Sequence, residues 1–144
     1  MQWIEPKTDW KYGDYFNAVD YNRIKNNLLY LHVKINELFP PETDLPDLGA
    51  DKVLTDYFYA SEFNAFENEL EAINNQAYGY DIGTKQTFYP LGRFIGYAER
   101  NRIESACLRL YKMIEQIETQ TRRTVFRANG TDFVDSGEED GINA

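Results

Sequence analysis

Residues 14–22 read DYFNAVDYN, and residues 56–64 read DYFYASEFN, 42 positions later. A weaker third copy, ERNRIE at residues 99–104, is similar to DYNRIK at residues 20–25. Chance likeness between amphipathic helices is the alternative explanation, and it is weakest for the first pair because three consecutive residues, Asp-Tyr-Phe, are identical. Internal repetition indicates similar elements that pack against one another. The sequence therefore predicts three copies of one helical unit.

Each copy has the apolar spacing of a helix that buries one face. Apolar residues recur at steps of three and four, which places them on one stripe. In the first predicted helix Asn17 is a candidate N-cap with Asp20 completing a capping box, and the prolines at residues 40–41 end the helix. Ser61 or Thr55 is the candidate cap of the second helix. The predicted core consists of Ile24, Leu28, Leu31, Ile35, Phe66, Leu70, Ile73, Ile103, Cys107, Leu110 and Ile114.

The fold class that follows is mainly α. We expect a three-helix bundle built from helical repeats, with extended N- and C-terminal arms. Residues 85–89 favour a short strand, and residues 124–126 with residues 131–134 favour a small hairpin, which is the most β structure that the sequence indicates. Residues 1–122 form the predicted helical domain with an aromatic N-terminal arm, and residues 123–144 form a predicted extended acidic arm.

Composition and charge exclude several classes of function. The chain has 15 basic and 24 acidic residues, a formal charge of -9, which argues against nucleic-acid binding because phosphate contacts need clustered Lys and Arg. No segment approaches the roughly 18 to 20 apolar residues of a membrane span, and the first residues have no secretory pattern. The acidic segment at residues 135–141 lacks the ligand spacing of a calcium loop. We therefore expect a soluble protein with no nucleic-acid or membrane partner.

Residues with catalytic or metal-binding chemistry do not form a convergent pattern. His32 is the only histidine, and no cysteine lies near it in the sequence, so a zinc site lacks ligands. Cys107 lies on the apolar stripe, where a thiol behaves as a small hydrophobic side chain. Glu67, Glu69 and Glu71 alternate along a helix and are interpreted as a solvated face. The sequence predicts no enzyme, no catalytic residue, no metal, no cofactor and no small-molecule substrate.

One block resembles a known class of proteins. Residues 10–24 read WKYGDYFNAVDYNRI, in which a Trp, a Gly-Asp pair and an Asp-Tyr-Asn-Arg-Ile run lead into a helix. This block resembles small structural proteins from the tail and baseplate gene clusters of tailed bacteriophages and of prophages of Gram-positive bacteria. The resemblance extends from Trp10 to about Phe39. The resemblance implies a protein that is made in the host cytoplasm, is located in the virion and has a role in assembly. It implies no catalytic residue.

The same block contains residues suited to contacts. Asp20 and Asn22 lie off the apolar stripe, where they can bond the backbone of the incoming arm. The aromatic content of the arms exceeds what a small bundle needs, and Trp and Tyr are enriched at interfaces. The backbone of the C-terminal arm is expected to pair with a neighbouring subunit by strand addition, with its acids against basic residues there. The predicted interface residues are Trp3, Trp10, Tyr12, Tyr15, Val125, Phe126 and Phe133.

The sequence is compatible with two functions. The first is a virion structural protein of a phage tail, baseplate or tail tip, present in several copies as an assembly or fibre-attachment component that acts through its arms. Its partners would be other virion structural proteins and further copies of itself in a homo-oligomer. The alternative is a soluble helical adaptor or regulatory protein that binds one partner through its acidic tail. An enzyme ranks below both.

Overall fold

The fold is mainly helical, as the sequence predicts. The computed structural model describes residues 1–129, with side chains described through residue 122. Within residues 1–129 there is no strand. The helices are α1 (Ala18–Leu38), α2 (Ala60–Gln76) and α3 (Tyr97–Asn129).

The chain divides into two units, Met1–Tyr111 and Lys112–Ala144. The first unit contains α1, α2 and the beginning of α3. In the second unit the structure describes the remainder of α3. No helix in the described part of the chain is both long enough and apolar enough to span a bilayer.

All three helices begin with the same hydrogen bond. The backbone N–H of the residue before the helix donates to an acidic side chain three positions later, which satisfies a donor that the helix leaves free. The predicted cap Asn17 and its capping box with Asp20 are confirmed. The three bonds are Asn17 to Asp20 at 3.0 Å, Tyr59 to Glu62 at 2.8 Å and Gly96 to Glu99 at 3.1 Å.

The cap predicted for the second helix is wrong. Tyr59, rather than Ser61 or Thr55, precedes α2. The side chain of Tyr59 makes no capping hydrogen bond. The carboxylate of Glu62 accepts the backbone N–H of Tyr59 instead. Phe58 is packed against other aromatic rings, so the start of the helix is set by packing as well as by local hydrogen bonding.

The three helices run parallel. Phe16, Phe58 and Phe94 lie just before the three helices, and their ring centroids are 5.3 to 6.0 Å apart. The N-termini of the helices therefore lie together at one end of the first unit. Because consecutive parallel helices need a return path, residues 39–59 and 77–96 form long connections that are largely extended and lack regular secondary structure.

The predicted core is buried throughout. The eleven side chains expected there are each at most a few per cent exposed, which confirms the helical stripes. Tyr21, Phe63, Phe88 and Ile95 are buried as well. The core is thus the apolar stripes plus aromatic residues close to the helix starts.

The predicted β structure is absent where the structure describes the chain. Residues 85–89 are not a strand, because the backbone of Phe88 is bonded to a side chain of α2 instead of to another strand. Residues 124–126 belong to α3, so the predicted domain boundary after residue 122 falls inside a helix. Residues 118–129 contain no Gly and no Pro. They include several good helix formers, which outweigh the β preference of a Val-Phe pair. Residues 131–134 lie outside the described residues.

Candidate interaction surface

The asparagine at the fifth position of each helix holds the backbone of a segment outside the helices. Its side-chain NH₂ donates to the C=O of one residue, and its side-chain oxygen accepts the N–H of the same residue. We call this arrangement an asparagine clamp. The three clamps join Asn22 to Lys52, Asn64 to Phe88 and Asn101 to Trp10, with donor–acceptor distances of 2.7 to 3.0 Å.

The clamps give the first unit a pseudo-threefold arrangement. Each asparagine is the fifth residue of its helix, and each holds the segment that leads into another helix. Helix α1 holds the segment before α2, α2 holds the segment before α3, and α3 holds the arm before α1. The sequence predicted that Asn22 bonds the incoming N-terminal arm, but it bonds the next connection, and Asn101 bonds the arm.

The N-terminal arm packs on its own chain. The ring of Trp10 is 4 % exposed, its Nε1 donates to Glu104 at 2.8 Å, and the guanidinium of Arg100 lies 4.8 Å from its centroid. Trp3 is half-buried and stacks on Tyr111 with centroids 4.2 Å apart. The interface prediction is therefore wrong for Trp10, because the clamp and Glu104 use this residue inside the fold, and Trp3 lies against its own helix.

Two carboxylates expected in solvent are buried. Glu67 is 2 % and Glu69 is 7 % exposed, and burial raises the pKa of both carboxyls. Glu67 pairs with Arg102, and Glu69 lies 2.7 Å from Nδ1 of His32. The solvated-face prediction is wrong for these two because each has a partner on a neighbouring helix, and it holds only for Glu71.

The remaining reactive groups are also engaged in the fold. Glu104 accepts from the N–H of Lys7 and from Arg23 in addition to Trp10. Burial raises the pKa of the Cys107 thiol, which keeps the sulfur in its unreactive form. Among the described residues, no group of three or more His, Cys, Asp or Glu side chains is placed to hold a metal. The buried polar groups therefore join elements to one another and do not point into a common cavity.

Most of the exposed aromatic residues in the described part of the chain lie in the three segments that precede the helices, and Tyr78 and Tyr97 lie outside them. We call residues 10–17, 52–59 and 88–96 pre-helix loops 1, 2 and 3. In loop 1, Tyr12 and Tyr15 are 91 % and 92 % exposed, and their place on a contact surface stays a prediction. We define the end surface as the large exposed side chains of the three loops, which are Tyr12, Tyr15, Val53, Leu54, Tyr57, Tyr59, Tyr89, Leu91 and Phe94.

A groove lies between pre-helix loops 2 and 3. Its volume is about 440 Å³, and the rings of Phe63, Phe88 and Phe94 form part of its wall. Tyr57 and Leu91 also line it and are exposed. We call it the loop 2–3 groove.

The three junctions between pre-helix loops differ in the residue pair at corresponding positions, although a cation lies over an aromatic ring at each of them, which at loops 2 and 3 is Arg93 over Phe88 at 5.6 Å. At the junction of loops 1 and 2, Nζ of Lys52 lies 5.2 Å from the ring centroid of Tyr21. At the junction of loops 3 and 1, Arg100 lies over Trp10. At the junction of loops 2 and 3 the corresponding pair is Phe63 with Phe88, whose centroids are 6.0 Å apart. Two hydrocarbon rings therefore take the place of the cation–π pair at the corresponding positions of this junction.

Part of the end surface was not recognised from the sequence. The repeat places Tyr57 at the position of Tyr15, so the alignment itself contained the signal for this residue. Tyr89 and Leu91 precede the third copy, residues 99–104, so the likeness of that copy does not reach them. Val125 and Phe126 lie in α3, so strand addition through their helical backbone is wrong, and Phe133 lies outside the described residues.

Comparison with protein-family models, with curated proteins and with solved structures found no match to this chain.

Proposed function

We propose that the chain is a virion structural protein of a phage tail, baseplate or tail tip, which joins other virion proteins through its end surface. The observation that carries this proposal is the exposure of Tyr12 and Tyr15 inside the block that resembles tail and baseplate proteins. The other prominent residues of that block, Trp10, Asp20 and Arg23, make internal bonds. The two tyrosines make no comparable contribution to the core.

Physical arguments support this proposal beside the resemblance of residues 10–24. Tyr supplies a large contact area at a low entropic cost, because it has only two side-chain torsions. The pre-helix loops are held by the asparagine clamps and by the phenylalanine triad, so a partner would meet a surface that is already ordered. A surface of this kind suits a permanent place in an assembly.

The experiment is an inventory of purified phage particles by quantitative mass spectrometry, with the host lysate as reference. We expect the chain in particles at a fixed ratio to the major tail protein. In a phage that carries Tyr12→Ala with Tyr15→Ala, we expect the chain in the lysate at normal abundance and depleted from particles. The matched variant is Tyr57→Ala, which removes the exposed tyrosine at the equivalent position of loop 2. It distinguishes an effect of loop 1 on incorporation into particles from an effect of the rest of the end surface.

A soluble adaptor is the second candidate, and the N-terminal arm favours it. Trp10 is buried without any partner chain, as expected of a protein that is complete as a monomer. An adaptor would be absent from washed particles and would be recovered from the lysate with one partner. Absence from particles would therefore overturn the virion proposal and support the adaptor.

A further inference from the structure

The loop 2–3 groove is bordered by a residue that the fold alone does not explain. Leu91 is fully exposed, and its backbone φ is +63°, in the left-handed region that non-glycine residues disfavour. It occupies the third position of a turn in which the N–H of Gly92 donates to the C=O of Tyr89 at 2.9 Å. The equivalent turn of loop 1 has Gly13 at this position, with φ of +90°.

A leucine here is unfavourable for the isolated fold on two counts. Glycine would adopt the same φ without the clash of a Cβ atom, and a fully exposed leucine gains nothing from burial. Backbone strain of this kind is concentrated at binding sites. The side chain of Leu91 is therefore best explained by contact with a molecule outside the chain.

The surroundings of the groove define the chemistry of that molecule. The groove wall is aromatic, so it suits an aromatic or aliphatic side chain. Arg93 lines the same groove, where its guanidinium lies 5.6 Å from the ring centroid of Phe88 and also pairs with Glu99 at 3.1 Å. Helix α2 begins there with Ala60 and Ser61, whose N–H groups belong to the first helical turn. Tyr59 gives that helix end no side-chain cap, so both features favour a carboxylate. The fitting occupant is a short peptide with a large apolar residue beside an acid.

We propose that the loop 2–3 groove binds the segment Asp132-Phe133-Val134-Asp135 of a second copy of this chain. Residues 130–144 contain five acids and no base, and Phe133 is their only aromatic residue. The segment begins three positions after Asn129, the last residue of α3. Phe133 enters the aromatic groove, and the flanking carboxylates meet Arg93 and the start of α2.

The contact joins two different surfaces, so it is head-to-tail. Each bound copy still offers a free groove or a free segment, and association continues into a ring or an open chain. The proposal concerns self-association and does not depend on whether the protein is a virion component. Its failure would leave the end surface of loop 1 and the particle inventory unaffected.

The test is sedimentation velocity on the full-length chain and its variants over a wide range of concentrations. We expect the wild type to form oligomers as its concentration rises. Phe133→Asp removes the inserted ring and Arg93→Glu reverses the charge at the groove, and each variant alone should remain monomeric. A mixture of these two variants retains one intact segment and one intact groove, so it should form a dimer and nothing larger.

A further variant separates binding from folding. Leu91→Gly relieves the backbone strain, so its melting temperature should be equal to or above that of the wild type, while self-association should weaken about tenfold or more, as at an interface hot spot. Tyr15→Ala in loop 1 is the matched control and should associate as the wild type does. Circular dichroism verifies that every variant is folded.

Several outcomes would overturn the proposal. One is a wild type that stays monomeric at all concentrations. Another is a Phe133→Asp variant that associates as strongly as the wild type. A third is a mixture of the two defective variants that contains only monomers.

Discussion

At the scale of single residues, asparagine solves a problem created by the long connections. An extended segment outside a sheet leaves its N–H and C=O groups without backbone partners, and such groups are costly when they are removed from water. A side-chain amide has both a donor and an acceptor and can satisfy both groups of one residue. Asn27 with Ile4 and Asn74 with Tyr80 use the same bond pair outside the three clamps.

The clamp at Trp10 gives a prediction about stability. Asn101→Ala leaves the N–H and C=O of Trp10 without partners, and we expect a loss of about 2 to 4 kcal/mol from two unmade bonds at a partly buried site. Urea denaturation measures the change. Asn68→Ala, at an exposed position of α2, is the control and should cost at most about 0.5 kcal/mol. Equal losses for the two variants would contradict a structural role of the clamp.

The buried pair of His32 and Glu69 gives a prediction about pH. Burial raises the pKa of Glu69, so the folded state binds the proton more tightly than the unfolded state does. The contribution of this group to stability is therefore present below its unfolded pKa, about 4.3, and is lost as the pH rises through the folded pKa. We expect the melting temperature of the wild type, relative to that of Glu69→Gln, to fall as the pH rises above the unfolded pKa of about 4.3.

The comparison with Glu69→Gln removes this carboxyl together with its contact with His32, 2.7 Å away. Glu67, whose pKa is raised in the same direction, is present in both proteins and cancels. Parallel melting curves above the unfolded pKa, or a wild type that gains stability as the pH rises, would show that Glu69 does not titrate as described.

At the scale of elements, the apolar stripes determine which face of each helix is buried. Leu28, Leu70 and Leu110 are wholly inaccessible to solvent, and each belongs to one of the three helices. Parallel packing follows from the loops as much as from the stripes, because the phenylalanine triad joins the three helix starts. The packing of each helix therefore depends on the loop that precedes it and on the loops of the other two helices.

The stripes give the prediction for this scale. Leu28→Asp and Leu110→Asp each place an unpaired charge in the core, at a cost of several kcal/mol against a typical total stability of about 5 to 15 kcal/mol. We expect both variants to lose their helical circular dichroism signal or to melt far below the wild type. Val33→Asp, on the exposed side of α1, is the control and should melt close to the wild type. An unchanged melting temperature in both leucine variants would disprove the assignment of the core.

At the scale of the first unit, two ion pairs follow the pseudo-threefold arrangement and the third is missing. Arg23 of α1 pairs with Glu104 of α3, and Arg102 of α3 pairs with Glu67 of α2. The repeat places Ala65 at the position of the arginines and Lys25 at the position of the glutamates. Lys25 bonds Asp51 and the C=O of Gly49 instead.

The missing pair is testable by a double-mutant cycle. Lys25→Glu and Ala65→Arg should each destabilise the protein, because each introduces a charge beside one of like sign. Combined, they complete the third pair, and we expect a favourable coupling free energy of about 0.5 to 3 kcal/mol in urea denaturation. Lys25→Glu with Ala65→Gln is the control cycle without the new cation. Absence of coupling would show that the arrangement does not extend to these positions.

Truncation tests where the core ends. Of the residues whose side chains are described, Ile114 is the last buried one in the chain. Deletion of residues 123–144 should therefore leave a folded bundle with a melting temperature close to that of the full chain, measured by circular dichroism. Complete unfolding of the truncated chain would show that these residues belong to the cooperative fold.

The sequence by itself determined the local features of this protein. Apolar residues at steps of three and four fixed the helices and their buried faces, since helical periodicity is a property of neighbouring residues. The residue types and spacing of Asn17 and Asp20 identified the cap of the first helix, and the aromatic surplus of the arm marked Tyr12 and Tyr15 as contact residues. The lone Cys107 was assigned to the core because it lies on the apolar stripe.

Only the tertiary structure decided which residues that are distant in the sequence contact one another. Trp10 and Glu69 are residue types that favour interfaces and solvent, and they are buried because their partners, Glu104 and His32, lie 94 and 37 positions away in the sequence. The parallel order of the helices depends on contacts among three loops that no local pattern specifies. Likewise, Leu91 stands out only once its positive φ is known, because backbone conformation at a turn is set by both flanking elements.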